Sequence, residues 1–285
     1  MGVSVPSGLV LLNKKKGITS FEALHAVKRA IGSGKAGHTG TLDKFAQGLL
    51  LVLTGGALKL SPWFSHADKQ YLGRIRFGIE TDTLDPEGSP VAAADLPSLE
   101  RVENALSQFT GLVMQEPPAY SAIHVGGKRA SALARSGEAP AMKKRPVHIY
   151  KLELRAWEPP FADIFVHCAS GAYIRSLARD VALAAGSRAH LSALTRARVA
   201  GFSLEDAWDG EGELVSRPLN KDVFAALGIS WFDVAQDEAH SLFHGRPLSP
   251  ILEGIPLQTR GEEGLTAAIF SCGSLAAIVE NKNGK

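Results

Sequence analysis

The densest run of chemistry-bearing side chains is Gly37-His38-Thr39-Gly40-Thr41-Leu42-Asp43, which sets an imidazole, two hydroxyls and a carboxylate between glycines. A loop of this kind between a helix and a buried strand aims polar groups into a cleft. Asp43 offers a nucleophile or a general base there, and a helix-type cap for Phe45–Leu50 competes for the same side chain. His38 is equally a site group or a loop imidazole bonded to backbone. In Ser170-Gly171-Ala172-Tyr173-Ile174-Arg175 a strand ends and a helix begins with an aromatic and an arginine. Arg175 has the fork to hold a carboxylate ionised, and Tyr173 has a ring that stacks on a base or sugar. The ordinary alternatives are an exposed first-turn arginine and a core tyrosine. Tyr71 likewise opens a strand where an aromatic core residue is expected anyway.

Several chemistries fail on spacing. Gly32-Ser33-Gly34-Lys35 is followed by Ala36 where a phosphate loop needs Ser or Thr, and a GxGxxG reading there follows a helix instead of a strand. His124, His148, His167 and His190 are scattered without HxxxH or HExxH spacing, so no zinc site is expected. Ser170-Gly171 supplies no nucleophile elbow. A carboxylate pair for glycoside hydrolysis stays open, Asp43 with Asp82 or Asp85, although Thr81–Gly88 reads first as a solvated acidic turn.

The elements that must position these residues follow from pattern. Gly8–Leu12 and Leu49–Leu53 read as buried strands, with Asn13 and three lysines turning the chain after the first. Thr19 with Glu22 forms a capping box that opens a helix with Phe21, Leu24, Val27 and Ile31 on one face. Gly32, Gly34 and Gly37 then start a flexible loop. In the strand Tyr71–Phe77, Tyr71, Gly73, Ile75 and Phe77 share a face, while Arg74 and Arg76 point away. Leu99, Val102, Leu106 and Phe109 mark another helix; Val147–Leu154 and Ile164–Ala169 read as strands before a helix from Ile174 to Ala185. Strands and helices mix without βαβ alternation, which predicts an α+β fold with a largely antiparallel sheet. A boundary near 228–232 precedes an acidic tail with short strands at Leu265–Phe270 and Ser274–Val279; at about 55 residues it is expected to pack on the main body.

Composition narrows the partner. The 285 residues are 45% hydrophobic and 21% charged, typical of a core-forming protein and not of a disordered one. Two distant cysteines, no membrane-length apolar run and no signal-peptide pattern point to a cytoplasmic protein. The net charge of +2 hides two basic blocks: residues 1–76 carry 11 Lys and Arg against 3 Asp and Glu, and residues 120–198 carry 13 against 5. Converging on one face, these blocks suit a polyanion such as nucleic acid; as scattered surface charge they carry no message.

The loop Gly37–Asp43 closely resembles the signature loop of the bacterial tRNA pseudouridine synthases of the TruB type. The resemblance continues in family order through Leu11–Gly17, Thr81–Gly88, Pro117–Ala122, Gly126–Ala130, Arg145–Tyr150, Gly171–Arg175 and Ala189–Phe202, covering about residues 8–208. It implies the pseudouridine synthase fold, a mixed sheet flanked by helices, as a catalytic domain over 1–228. A reduced, PUA-like β-rich module would occupy 229–285, with His244-Gly245-Arg246-Pro247-Leu248 its best fragment. It further implies isomerisation of a T-loop uridine of tRNA to pseudouridine, with Asp43 as the catalytic aspartate, Arg175 as its ion-pair partner and Tyr71 against the uracil. His38, Tyr173, Leu194 and Lys14 would bind substrate. The expected partner is the T-arm stem-loop of tRNA, bound by a monomer with no cofactor and no metal. After Asp43 this chain has Lys44-Phe45-Ala46-Gln47-Gly48 where the family usually has Pro-Leu-Ala-Thr-Gly. Ala172 replaces the usual Thr, and Thr195 an Arg or Lys. Lys44 is expected to lower the Asp43 pKa or reach a phosphate.

Overall fold

A computed structural model of the protein describes residues 7–32, 34–138, 140–244 and 266–280. Nine of its strands form one sheet, whose main path runs Gly8–Lys14, Gln47–Thr54, Ala189–Val199, Lys69–Phe77, Phe161–Cys168, Arg145–Glu158 and Gly111–Gln115. Ala36–His38 and Phe202–Ser203 pair at its side. All neighbours are antiparallel except Ala189–Val199 and Gln47–Thr54, which run parallel. The fold is thus α+β with a mixed, largely antiparallel sheet. No helix among the described residues is long and apolar enough to cross a membrane.

Alternation decides which side of the sheet is covered. Along Lys69–Phe77 every second residue is buried, and Tyr71, Ile75 and Phe77 join Ile164, Val166, Leu191 and Leu194 in one core. Helices Leu99–Ser107 and Ile174–Ala184 close this core, burying Val102, Leu106, Leu177 and Val181. Gly8–Lys14 and Gln47–Thr54 are buried on both faces, which explains their unbroken apolar sequence. Leu9, Leu11, Leu49 and Leu51 pack with Phe64 and Phe202 on one side. Val10, Leu12, Leu50 and Val52 meet Ala23, Leu24 and Val27 of the helix Ser20–Ala30 on the other.

Three local readings are corrected. The first strand does not turn at Asn13 but continues through Lys14. The glycine-rich segment is partly strand, because Ala36–His38 finds open edge positions opposite Thr54, Leu53 and Val52. Thr19 does form the capping box, yet Phe21 is exposed while Ser20, Ala23, Leu24 and Val27 are buried. At about 100° per residue Phe21 stands a quarter turn from that buried stripe, and Lys28 covers its ring at 5.1 Å.

In the tail, Ser230–Asp233 lies parallel to Thr266–Ser271, which pairs antiparallel with Ser274–Glu280. Ala268 and Phe270 pack on Phe224 and Leu60, tying this small sheet to the body. Gly245–Leu248 of the PUA-like fragment, and Leu265, lie outside the described residues.

Candidate active site

Three anchors hold the loop that carries Asp43. Ser20 Oγ donates to the Leu42 carbonyl at 2.9 Å and accepts from the Leu42 amide at 2.8 Å. The Gly17 amide donates to the Lys44 carbonyl at 2.9 Å. Lys14 Nζ, fully buried, donates to the carbonyls of Ala46 and Ile18, both at 2.7 Å. Lys14 therefore braces the loop from beneath with its ammonium engaged by backbone. Burial lowers its pKa to about 8 against the opposing pull of Asp43.

The Asp43 side chain does not cap the following segment; it faces Arg175. Arg175 Nη2 donates to Asp43 Oδ1 at 3.0 Å, and Nε lies 2.9 Å from Oδ2. Arg175 sits in the first turn of the helix Ile174–Ala184, only 4% exposed. Gln115 sets where that helix begins, its side-chain amide bonding both the N–H and the C=O of Tyr173. The same guanidinium donates to the Thr83 carbonyl at 2.8 Å, to Asp85 Oδ2 at 3.3 Å and to the Tyr120 carbonyl at 3.0 Å.

The acidic turn is consequently part of the site. Asp85 is 5% exposed, and its Oδ1 accepts from Thr83 Oγ1 at 2.6 Å and from the Glu87 amide at 3.0 Å. Leu84, at φ +61, hands its carbonyl to the Leu191 amide, anchoring the turn to the sheet. Two carboxylates thus share one arginine. Burial pushes the Asp43 carboxyl above its ordinary pKa, Arg175 pulls it back, and Asp85 adds to the upward shift. Lys44, expected beside Asp43, instead reaches Glu87 at 3.9 Å.

Tyr71 and Leu194 come from neighbouring strands into the core beside Leu42. Burial pushes the Tyr71 phenol up; Arg196 draws it down. His38 is half-buried in its edge strand, and desolvation, reinforced by Arg196, lowers its pKa. Tyr173 stands farther along, its ring 5.3 Å from the Arg145 guanidinium, which donates to the Gly171 carbonyl. Of the expected site residues, Asp43 and Arg175 are in direct contact and Tyr71 lies within electrostatic reach of Asp43.

Sequence reading offers Asp85 only as a second acid for glycoside hydrolysis and passes over Arg196. Asp85 had a faint signal in the flanking hydroxyls of Thr81 and Thr83, both of which bond it. Arg196 had a clearer one: it shares inward parity with Leu194, a core-facing position where a cation needs a reason. Its Nε donates to the Leu49 carbonyl at 2.7 Å and its Nη2 to the Gly40 carbonyl at 2.9 Å. Gly48, at φ +110, lets the two backbones meet, since a Cβ there would lie 2.4 Å from the Arg196 carbonyl oxygen. Gly48→Ala is expected to cost about 3 kcal/mol, read from urea unfolding; a loss under about 0.5 kcal/mol contradicts that packing.

Residues 28–174 match the family model described as TruB family pseudouridylate synthase, N terminal domain. The chain is 42% identical over 256 residues to tRNA pseudouridine synthase B of Treponema pallidum, covering 81% of this chain and 69% of that one. The chain belongs to the TruB family. It is therefore an enzyme of the pseudouridine synthase, or isomerase, class. A second TruB-family relative, tRNA pseudouridine synthase B of Borreliella burgdorferi, is 41% identical over 204 residues, 70% of this chain and 72% of that one. Among solved structures, a Cbf5–Nop10–Gar1 complex contains a chain that matches with a TM-score of 0.68 at 22% identity, over 98% of this chain and 79% of that one. That likeness establishes the pseudouridine synthase fold.

Proposed function

We propose that this TruB-family enzyme converts a uridine in the T-loop of tRNA to pseudouridine, with Asp43 as the catalytic carboxylate. The observation that carries the reading is the Asp43–Arg175 pair at the head of a buried helix, reached by Tyr71 from the sheet. The N1–C1′ bond breaks, its electron pair leaves with the uracil, and the turned base forms a C5–C1′ bond. The base then loses its C5 proton and gains one at N1, so no atom is added. An ionised Asp43 serves either attack on C1′ or removal of the C2′ proton. Arg175 holds that carboxylate charged and aimed, and Tyr71 packs against the uracil and takes the C5 proton. His38, Tyr173 and Leu194 line the approach, and Lys14 contributes through the loop it braces.

A T-loop base reaches Asp43 only after flipping out of its stack. The segment after Tyr120 supplies cations for the flanking phosphates: Lys128, Arg129, Arg135, Lys143 and Lys144 form no ion pair among the described residues. The catalytic part spans 1–228 and the module 229–285 packs beside it, in a cytoplasmic monomer acting on the T-arm. Glycoside hydrolysis by paired acids is disfavoured: Asp85 is bound by Thr83, Glu87 and Arg175, and Asp82 by the Ser89 amide and Tyr120.

Tritium release from a tRNA transcript labelled at uridine C5 tests the reaction: one equivalent released per tRNA is expected, and tight binding without release sinks the reading. The acid limb of that rate has a direction as well. Asp43 works ionised and its pKa is raised, so the rate falls as pH drops through a value above the ordinary carboxylate range. Asp85→Asn removes one cause of the rise and leaves Arg175 more fully to Asp43. The limb is expected to move to lower pH; a limb that stays or moves up contradicts the assignment.

A further inference from the structure

Arg196 is a buried cation, 2% exposed, that the reaction as described leaves without a task. Burying a guanidinium is costly unless its donors are satisfied, and here the satisfaction is unusual. Its neighbours are backbone carbonyls, of Leu49 at 2.7 Å, Gly40 at 2.9 Å and Thr41 at 3.5 Å. No carboxylate pairs with it among the described residues, whereas Arg175 faces two. Carbonyl dipoles orient a guanidinium but do not neutralise it. In the pairing of Ala189–Val199 with Lys69–Phe77, Arg196 stands directly opposite Tyr71, and both side chains are buried. The guanidinium is close enough to draw the phenol down, while its hydrogen bonds go to the backbone carbonyls. Its other face grips the loop two and three residues before Asp43.

We propose that Arg196 is the positioning residue of this site: it ties the Asp43 loop to the strand pair that carries Tyr71 and lends its unneutralised charge to the phenolate when the C5 proton is transferred. This rests on the reading of Tyr71 given above. In the step, Tyr71 passes its phenolic proton to N1 of the turned base. The C5–H bond then breaks, its electron pair restores the C5–C6 double bond, and the phenolate takes the proton. Tyr71 ends as a phenol, and the base has exchanged a C5 hydrogen for an N1 hydrogen. Arg196 is the cation directly across the sheet from that tyrosine, and it pulls the phenol down against its burial. A lysine at the same place keeps a charge but cannot span the carbonyls of Gly40 and Leu49 at once.

The experiment is a double-mutant cycle on the full chain, reading single-turnover tritium release at saturating enzyme and tRNA affinity by filter binding. Arg196→Gln is expected to slow release about 100-fold with affinity changed less than about twofold, and Arg196→Lys to recover about tenfold of that loss. In a Tyr71→Phe background the same Arg196→Gln change is expected to cost less than about fivefold, because the group it serves is gone. A full, multiplicative loss in that background overturns the proposal, as does a loss that appears in affinity instead of rate. Should Arg196→Gln fail to fold by thermal melting, the cycle with Arg196→Lys decides by the same criterion. Wild-type release by Tyr71→Phe alone overturns the reading of Tyr71 itself, and the single-mutant arm identifies that failure separately.

Discussion

Asp43→Asn is expected to slow C5 tritium release by about 10⁴-fold or more while tRNA affinity stays within about twofold. The amide keeps the shape of the side chain and removes the one property both routes need, a negative oxygen at the sugar. Affinity survives because the phosphate contacts assigned to the basic segment 128–144 lie elsewhere on the chain. Stability should survive as well. The loop is held by Ser20, Gly17 and Lys14 through backbone atoms, none of which involves the carboxylate. Arg175 also retains Asp85, Thr83 and Tyr120 as acceptors. A variant that retains more than about 1% of the rate contradicts the role of Asp43; one that loses rate only through lost affinity contradicts its independence from binding.

Arg175→Met carries the opposite signature, in which rate and stability fall together. The substitution leaves Asp43 and Asp85 facing one another without their shared cation, and strips the Thr83 and Tyr120 carbonyls of a donor. Breaking a buried pair by removing one member costs about 3–5 kcal/mol, which for a chain of this size lowers Tm by about 10 °C. The rate is expected to fall about 10³-fold or more, because the surviving carboxylates favour sharing a proton over standing ionised. Calorimetry and single-turnover release on one preparation give both numbers. An unchanged Tm contradicts the four-acceptor geometry around Arg175. A large Tm loss with normal rate contradicts the pairing of Arg175 with Asp43 as a functional one.

Legibility in the sequence followed the range of the interaction. Tyr71–Phe77 was readable because strand alternation is local, and each residue showed its face by parity. The Thr19–Glu22 box was readable for the same reason, while Phe21 was not, since an apolar residue at helical spacing does not reveal whether another element covers it. Thr81–Gly88 reads as a solvated turn because five of its eight residues carry polar side chains, which normally face water. Its burial is made by Arg175, 90 residues from Asp85 along the chain. Lys14 reads as a turn residue and a substrate ligand, because nothing nearby in sequence shows that the Ala46 carbonyl waits 32 residues away. Arg196 escaped notice inside a strand whose pattern was otherwise regular. Gly37–Asp43 stood out on residue types alone, but its partner carboxylate and its bracing had to come from tertiary structure.

The central claim is most directly tested by locating the modified base. An unmodified tRNA transcript is treated with the wild-type protein or with Asp43→Asn, derivatised with carbodiimide, and read by primer extension. A single new stop at the T-loop uridine, present with the wild type and absent with Asp43→Asn, is the expected result. Stops with neither protein despite tight tRNA binding, or a stop that persists in Asp43→Asn, would contradict an Asp43-dependent pseudouridine synthase acting on that loop.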